Sequence, residues 1–133
     1  MLTWVERFAL MSRIRGKDTK PEIAVRSLLH RMGLRFRLHR RDLSGTPDIV
    51  LSGRKAVVFV HGCFWHRHEG CKDAAVPKTR TEFWQAKFAK NVERDARNRR
   101  DLKRLGWRAL VVWECELKDM AKLERRLARL LPS

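Results

Sequence analysis

DIVLSGRKAVVFVHGCFWHRHEGC, residues 48–71, is where this chain declares its architecture. Asp48 follows Pro47, and Asp48 to Leu51 reads as a short strand. Ser52-Gly53-Arg54-Lys55 has the make-up of a hairpin-type turn. Ala56-Val57-Val58-Phe59-Val60 holds no polar side chain and is β-branched and aromatic, as befits a central strand covered on both faces. The apolar run then stops, and His61, Cys63, Phe64, Trp65, His66, His68 and Cys71 follow within eleven positions. A strand ending in such a burst delivers a site. Residues 61–78, with Gly62, Gly70 and Pro77, form an ordered loop. A loop of that length in a small domain needs a reason, and a bound metal would supply one.

Before this stretch, Thr19-Lys20-Pro21-Glu22 has the pattern of a capping box. The helix it opens carries Ala24, Val25, Leu28, Leu29 and Met32 on one face and stops at Gly33, with Glu22 in its first turn. Residues 34–39 alternate as a half-exposed strand, and Ser44-Gly45-Thr46-Pro47 is a turn. After the loop, Thr79-Arg80-Thr81-Glu82 repeats the capping-box pattern. It opens a long helix with apolar contacts at Phe83, Trp84, Phe88, Val92, Leu102 and Leu105, ended by Gly106. Trp107 to Trp113 reads as a second buried strand, and a last helix from Asp119 carries Met120, Leu123, Leu127, Leu130 and Leu131 on one side. A strand, a long helix and a strand imply a crossover onto a mixed sheet. The expected fold is therefore α/β, a single domain over residues 1–133 with a mixed β-sheet flanked by helices. Residues 1–17 mix Trp4, Phe8, Leu10, Met11 and Ile14 with charge and read as a short helix or an arm.

The charge is lopsided. Lys and Arg number 31 against 15 Asp and Glu, giving +16 and a pI near 11.2. That balance points to a polyanionic partner, and the aromatics among the basic residues favour nucleic acid over a membrane surface. No apolar run is long enough to span a bilayer, and the first residues lack the pattern of a signal peptide, so a cytoplasmic location is expected. Three cysteines in a reducing compartment suit a metal better than disulfides.

Cys63, His68 and Cys71 are spaced C-x4-H-x2-C, and Cys115 stands just past the strand 107–113. If the strands 56–60 and 107–113 are parallel neighbours, Cys115 closes a Cys3His set, the ligands of one structural zinc ion. The alternative is three buried thiols and a surface histidine. A phosphodiester nuclease needs oxygen ligands for hard cations and a base for water. Asp48 as ligand with His61 or His66 as base would meet that need, or Asp48 is only a turn residue. Taken alone, Asp95 reads as a solvated acid paired with Arg99, although it shares a helix face with Trp84, Phe88 and Asn91. Phe64 and Trp65 either pack on the loop or wedge between base pairs, and Trp84 either joins them or sits in the core.

These pieces occur together in one known family. Met11-Ser12-Arg13-Ile14, residues 17–22, Gly45-Thr46-Pro47-Asp48, Val60-His61-Gly62-Cys63-Phe64-Trp65-His66, residues 79–84, Lys90-Asn91-Val92-Glu93-Arg94-Asp95, Leu105-Gly106-Trp107 and Val112-Trp113-Glu114-Cys115 closely resemble the very-short-patch repair endonucleases, the Vsr family. The resemblance implies a restriction-endonuclease-like core and an enzyme that nicks one strand at a T·G mismatch. It implies that Asp48 and the carbonyl of Val60 bind two catalytic magnesium ions, and that His66 activates water with His61 nearby. Asp95 and Glu22 would complete the arrangement, overturning the solvated reading of Asp95. Cys63, His68, Cys71 and Cys115 would hold the zinc. Phe64, Trp65 and Trp84 would insert beside the mismatch with Met11 wedging from the N-terminal segment (residues 1–17), while Arg13, Arg15, Arg80, Lys87, Lys90 and Arg94 position the backbone. The implied partners are mismatched duplex DNA and MutL-type mismatch-repair proteins, for a monomer acting on a prokaryotic nucleoid. Two features depart from pattern. Phe59-Val60-His61 replaces the acid-x-Lys of restriction enzymes, as is normal in this family, and Glu69-Gly70 gives a loop length unlike some members. The rivals are a related nickase with another DNA target and a non-catalytic, zinc-stabilised DNA-binding module.

Overall fold

Residues 19–132 are described by the structure, a computed structural model. The N-terminal segment of the sequence reading, with Met11 and Arg13, lies outside the described residues. Four strands form one sheet in the order β1 (Arg37–Leu38), β2 (Ile49–Leu51), β3 (Ala56–His61) and β4 (Arg108–Trp113). β1–β2 and β2–β3 are antiparallel and β3–β4 is parallel, so the sheet is mixed as expected. Among the described residues there are three α-helices: α1 (Lys20–Arg31), α2 (Thr81–Arg104) and α3 (Met120–Leu130).

The period-two alternation of the strands decides what covers each face. Ile49, Leu51, Ala56, Val58 and Val112 pack against Val25, Leu28 and Leu29 of α1 and Leu123 and Leu127 of α3. The other parity, Val50, Val57 and Phe59, packs with Leu43, Trp107 and Leu102 of α2. His61 continues the parity of Val57 and Phe59, and that directs it to the side of the sheet occupied by α2.

α1 starts as its sequence dictates. The Thr19 hydroxyl accepts the Glu22 N–H (3.4 Å) and the Glu22 carboxylate accepts the Thr19 N–H (3.2 Å), a complete capping box. The second capping box does not form. Arg80 occupies the N-cap of α2 in a left-handed conformation (φ 53°, ψ 44°) and makes no side-chain cap bond. The helix starts there because Trp84 is drawn fully into the core, its N–H bonded to the Arg80 carbonyl at 3.2 Å.

Three further expectations are corrected. Only residues 37–38 of the alternating run 34–39 pair as a strand. β4 is mostly half-buried, with Val112 fully buried, because among the described residues it ends the sheet and has a single neighbouring strand. Phe83, Val92 (45% exposed) and Leu105 (60% exposed) face outward, since α2 is anchored near its ends by Trp84, Phe88 and Leu102 while its middle crosses an open cleft.

The turn before β2 is held against α2. A Cβ on Gly45 (φ +79°) would lie 2.7 Å from Asn98 Nδ2. Gly45→Ala therefore meets both a left-handed backbone and a packed neighbour, and is expected to cost about 1–2 kcal/mol of stability from the backbone alone. Urea unfolding of Gly45→Ala, alone and with Asn98→Ala, measures this: the second substitution relieves the contact and leaves the backbone cost.

Candidate active site and metal centre

Parallel pairing brings the carboxyl ends of β3 and β4 to one edge, with His61 opposite Trp113. Two clusters of chemically active side chains hang from that edge, one in a cleft and one beneath the loop that follows β3.

The cleft has a volume of about 660 Å³, and Glu22, Asp48, His61, His66 and Asp95 all line it. Each arrives on a different support: the first turn of α1, the start of β2, the end of β3, the loop, and the exposed middle of α2. Asp48 Oδ2 accepts the Val60 N–H at 2.7 Å, which ties the acid to β3. Burial, and then the neighbouring Glu22 carboxyl, push Asp48 up to about 7. Glu22 is itself buried and accepts from Arg26 Nη2 at 3.4 Å. Arg26 also reaches His39 Nε2 at 3.1 Å. Two acids sharing a desolvated floor resist holding both charges unless a cation joins them. Their oxygen donors are what a hard divalent ion prefers.

Opposite these acids stands a histidine pair. His66 Nδ1 lies 2.6 Å from Asp95 Oδ2, so the carboxylate accepts Nδ1–H and Nε2 is left as the basic nitrogen. Burial acts to raise Asp95, but the hydrogen bond and charge of His66 outweigh it and hold the acid below its ordinary value. The His61 ring stacks on His66 with centroids 3.8 Å apart and planes 6° from parallel. Burial, followed by repulsion from His66, pulls His61 down to about 3, so it stays neutral at physiological pH. One donor atom each from His61, His66 and Asp95 lie within 4.8 Å of one another, close enough in principle for an ion. Parallel rings, however, aim their lone pairs side by side rather than at one point, and the trio suits proton handling better than chelation. Asp95 is thus no solvated partner of Arg99; Arg99 acts on His61 through its charge.

The second cluster is Cys63, His68, Cys71 and Cys115, whose donor atoms all lie within 4.8 Å of one another. Cys115 Sγ is 3.4 Å from His68 Nδ1, and all three thiols are free. Successive turns fold the loop around them, with His68 N–H bonded to the Cys63 carbonyl (3.0 Å) and Cys71 N–H to that of His68 (3.2 Å). Burial, and then the facing Cys115 thiol, push Cys63 up to about 12, while burial, Cys71 and the Glu116 charge raise Cys115 against the lowering effect of its hydrogen bond with Cys63. A bound dication would favour the thiolate forms that burial opposes at Cys63 and Cys115. A set of three sulfurs and one imidazole nitrogen could hold a metal ion.

Of the three aromatic residues, Trp84 is too buried for a surface wedge. Trp84 is 0% exposed and belongs to a cluster with Phe88, over which Phe64 and Trp65 lie half-buried. Phe64 meets Trp84 and Phe88 edge-on at 5.3 and 5.1 Å. In this structure Trp84 is a core residue, because the start of α2 docks through it; Phe64 and Trp65 are the pair at the surface. Asn91 Nδ2 donates to the Trp65 carbonyl at 3.2 Å, and Lys90 is exposed on α2. Sequence reasoning missed Arg26, Asn98 and Arg67. Arg26 could have been found, since it stands four positions after Glu22 on one helix.

Residues 1–73 match the family described as DNA mismatch endonuclease Vsr. A type II nicking enzyme of Xanthomonas oryzae pv. oryzae is 55% identical over 122 residues, covering 92% of this chain and 89% of that protein. DNA mismatch endonuclease Vsr of Escherichia coli is 50% identical over 113 residues, covering 85% of this chain and 72% of that protein. Among solved structures, the catalytic domain of the homing endonuclease I-Bth0305I superposes with a TM-score of 0.59 at 23% identity, covering 84% of this chain and 93% of that one. That likeness concerns the fold, and the core is restriction-endonuclease-like, as the resemblance implied.

Proposed function

The chain belongs to the Vsr family of DNA mismatch endonucleases, and from that premise we propose that it nicks one strand of duplex DNA beside a T·G mismatch, using magnesium, to begin very-short-patch repair. The observation that carries this reading is the meeting, in one cleft of a +16 chain, of the Asp48–Glu22 acid pair with the Asp95–His66–His61 set.

Asp48, the carbonyl of Val60 and the nearby Glu22 would hold the magnesium ions. When bound, magnesium would neutralise the scissile phosphate and ease ionisation of water. His66 takes the proton from the attacking water at Nε2, and Asp95 keeps the ring oriented and stabilises its positive form. The neutral His61 ring supports His66 from below without adding a second positive charge to the stack. The new bond joins the water oxygen to phosphorus, the P–O3′ bond breaks, and the 3′ oxygen gains a proton, leaving a 5′-phosphate and a 3′-hydroxyl. Cys63, His68, Cys71 and Cys115 would bind one structural zinc ion, with no open position for chemistry. Phe64 and Trp65 would press into the stack at the mismatch, where opening costs least. Lys87, Lys90 and Arg94 would hold phosphates along α2. The enzyme would act as a monomer in a prokaryotic cytoplasm, on the nucleoid, with MutL-type proteins as partners.

Three duplexes that differ only in carrying T·G, G·C or T·A at one position test the proposal. The expected result is a single nick in the T·G duplex, dependent on added magnesium. Equal nicking of all three would identify a sequence-directed nickase, the reading that the nicking-enzyme relatives favour. Binding without nicking would identify a DNA-binding module.

A further inference from the structure

Arg67 stands between His66, which faces Asp95, and His68, which faces Cys115. It has a left-handed backbone (φ 53°) although it is not glycine. The backbone turn at this residue lets two nearly consecutive imidazoles serve different clusters. Its side chain is half-buried. Nη1 donates to the Phe64 carbonyl at 3.1 Å, and Nη2 donates to the Ala74 carbonyl. The guanidinium lies 4.1 Å from the ring centre of Phe88 on α2 and 5.8 Å from that of Phe64. No carboxylate pairs with it among the described residues.

A half-buried arginine without an acid gives up part of its hydration, and here its donors go to main-chain carbonyls on both sides of the loop that carries His68 and Cys71. The clamp spans Phe64 to Ala74 and so encloses His66, His68 and Cys71. Its contact with Phe88 fixes that enclosure against α2, the helix that also presents Asp95 to His66 and Asn91 to the Trp65 carbonyl.

We propose that Arg67 is a positioning residue: by clamping the loop onto α2 it sets His66 and the Phe64–Trp65 pair in register with the cleft. This deepens the nuclease reading above and rests on it. Three variants separate the clamp from the backbone. Gly accepts a positive φ freely, Ala does not, and Lys keeps the charge over Phe88 but cannot fork to two carbonyls. With the T·G duplex, Arg67→Ala and Arg67→Gly should both lower kcat by about 100-fold with KM little changed, and Arg67→Lys should fall between them and the native chain. Amide exchange across residues 62–76 should accelerate in the Gly and Ala variants while β3 and α3 keep native protection, and metal content should stay native. Native kcat in Arg67→Gly would overturn the proposal, since only the backbone conformation would then matter. Unchanged exchange in that variant would overturn it as well. A native chain that fails to nick the T·G duplex would instead count against the function, and amide exchange would still judge the clamp.

Discussion

Asp48→Asn should abolish strand cleavage, by about 10⁴-fold or more, because on the proposed function several kcal/mol of charge stabilisation at the phosphate would leave with the cation. Affinity for duplex DNA should stay within about twofold, since phosphate contacts to basic side chains dominate binding. The same substitution should strengthen the fold. Folded Asp48 titrates at about 7, whereas an unfolded aspartate titrates at about 3.9. Above pH 7 the folded chain carries a charge that burial and Glu22 oppose, and the unfolded chain carries it freely. The resulting penalty is complete above pH 7 and fades as pH falls toward the unfolded value. Asn escapes it. Without magnesium, Asp48→Asn should therefore be more stable than the native chain at pH 8, by something on the order of 4 kcal/mol, with more than half of the gap gone by pH 5. Nicking assays, equilibrium binding and urea unfolding at both pH values measure the three parts. A variant less stable than native at pH 8 would show that Asp48 is not held against its charge.

Cys115→Ser should cost fold and activity together. Cys115 joins the end of β4 to the loop after β3 through the shared cluster. Loss of a structural metal there should remove at least about 4 kcal/mol of stability, given the strength of such sites. Nicking should vanish too, because His66, Phe64 and Trp65 ride on the loop that the cluster holds. Metal analysis should find one zinc per native chain and none in the variant, with a large drop in melting temperature. A variant that kept its metal and melted like the native protein would rule out the cluster as a metal centre.

Much of the site was legible because it is written in local and compositional signals. The β-branched run of β3, the Thr19–Glu22 capping box and the commitment of every cysteine to one neighbourhood each carry their own physical reason. The cysteine reading needed one tertiary assumption, parallel pairing of β3 with β4, which the topology provides. What sequence could not reach depends on contacts between distant segments. Nothing local tells that Trp84 docks in the core instead of capping a wedge, or that the pattern at residues 79–82 yields to that docking. Asp95 looked solvated because its partner lies 29 positions away; only the family resemblance pointed to it. Arg67 gave no sign at all beyond its place between two histidines.

The parallel join of β3 to β4 also fixes an order of assembly. Three of the four cluster ligands lie within residues 63–71, but the last is supplied only after the long crossover helix and the final strand have been made. A chain still emerging from the ribosome already carries Asp48 and both cleft imidazoles, but the fourth donor of the cluster arrives only with the residues after β4. Closure of the cluster around any metal ion would thereby wait on the docking of β4 against β3.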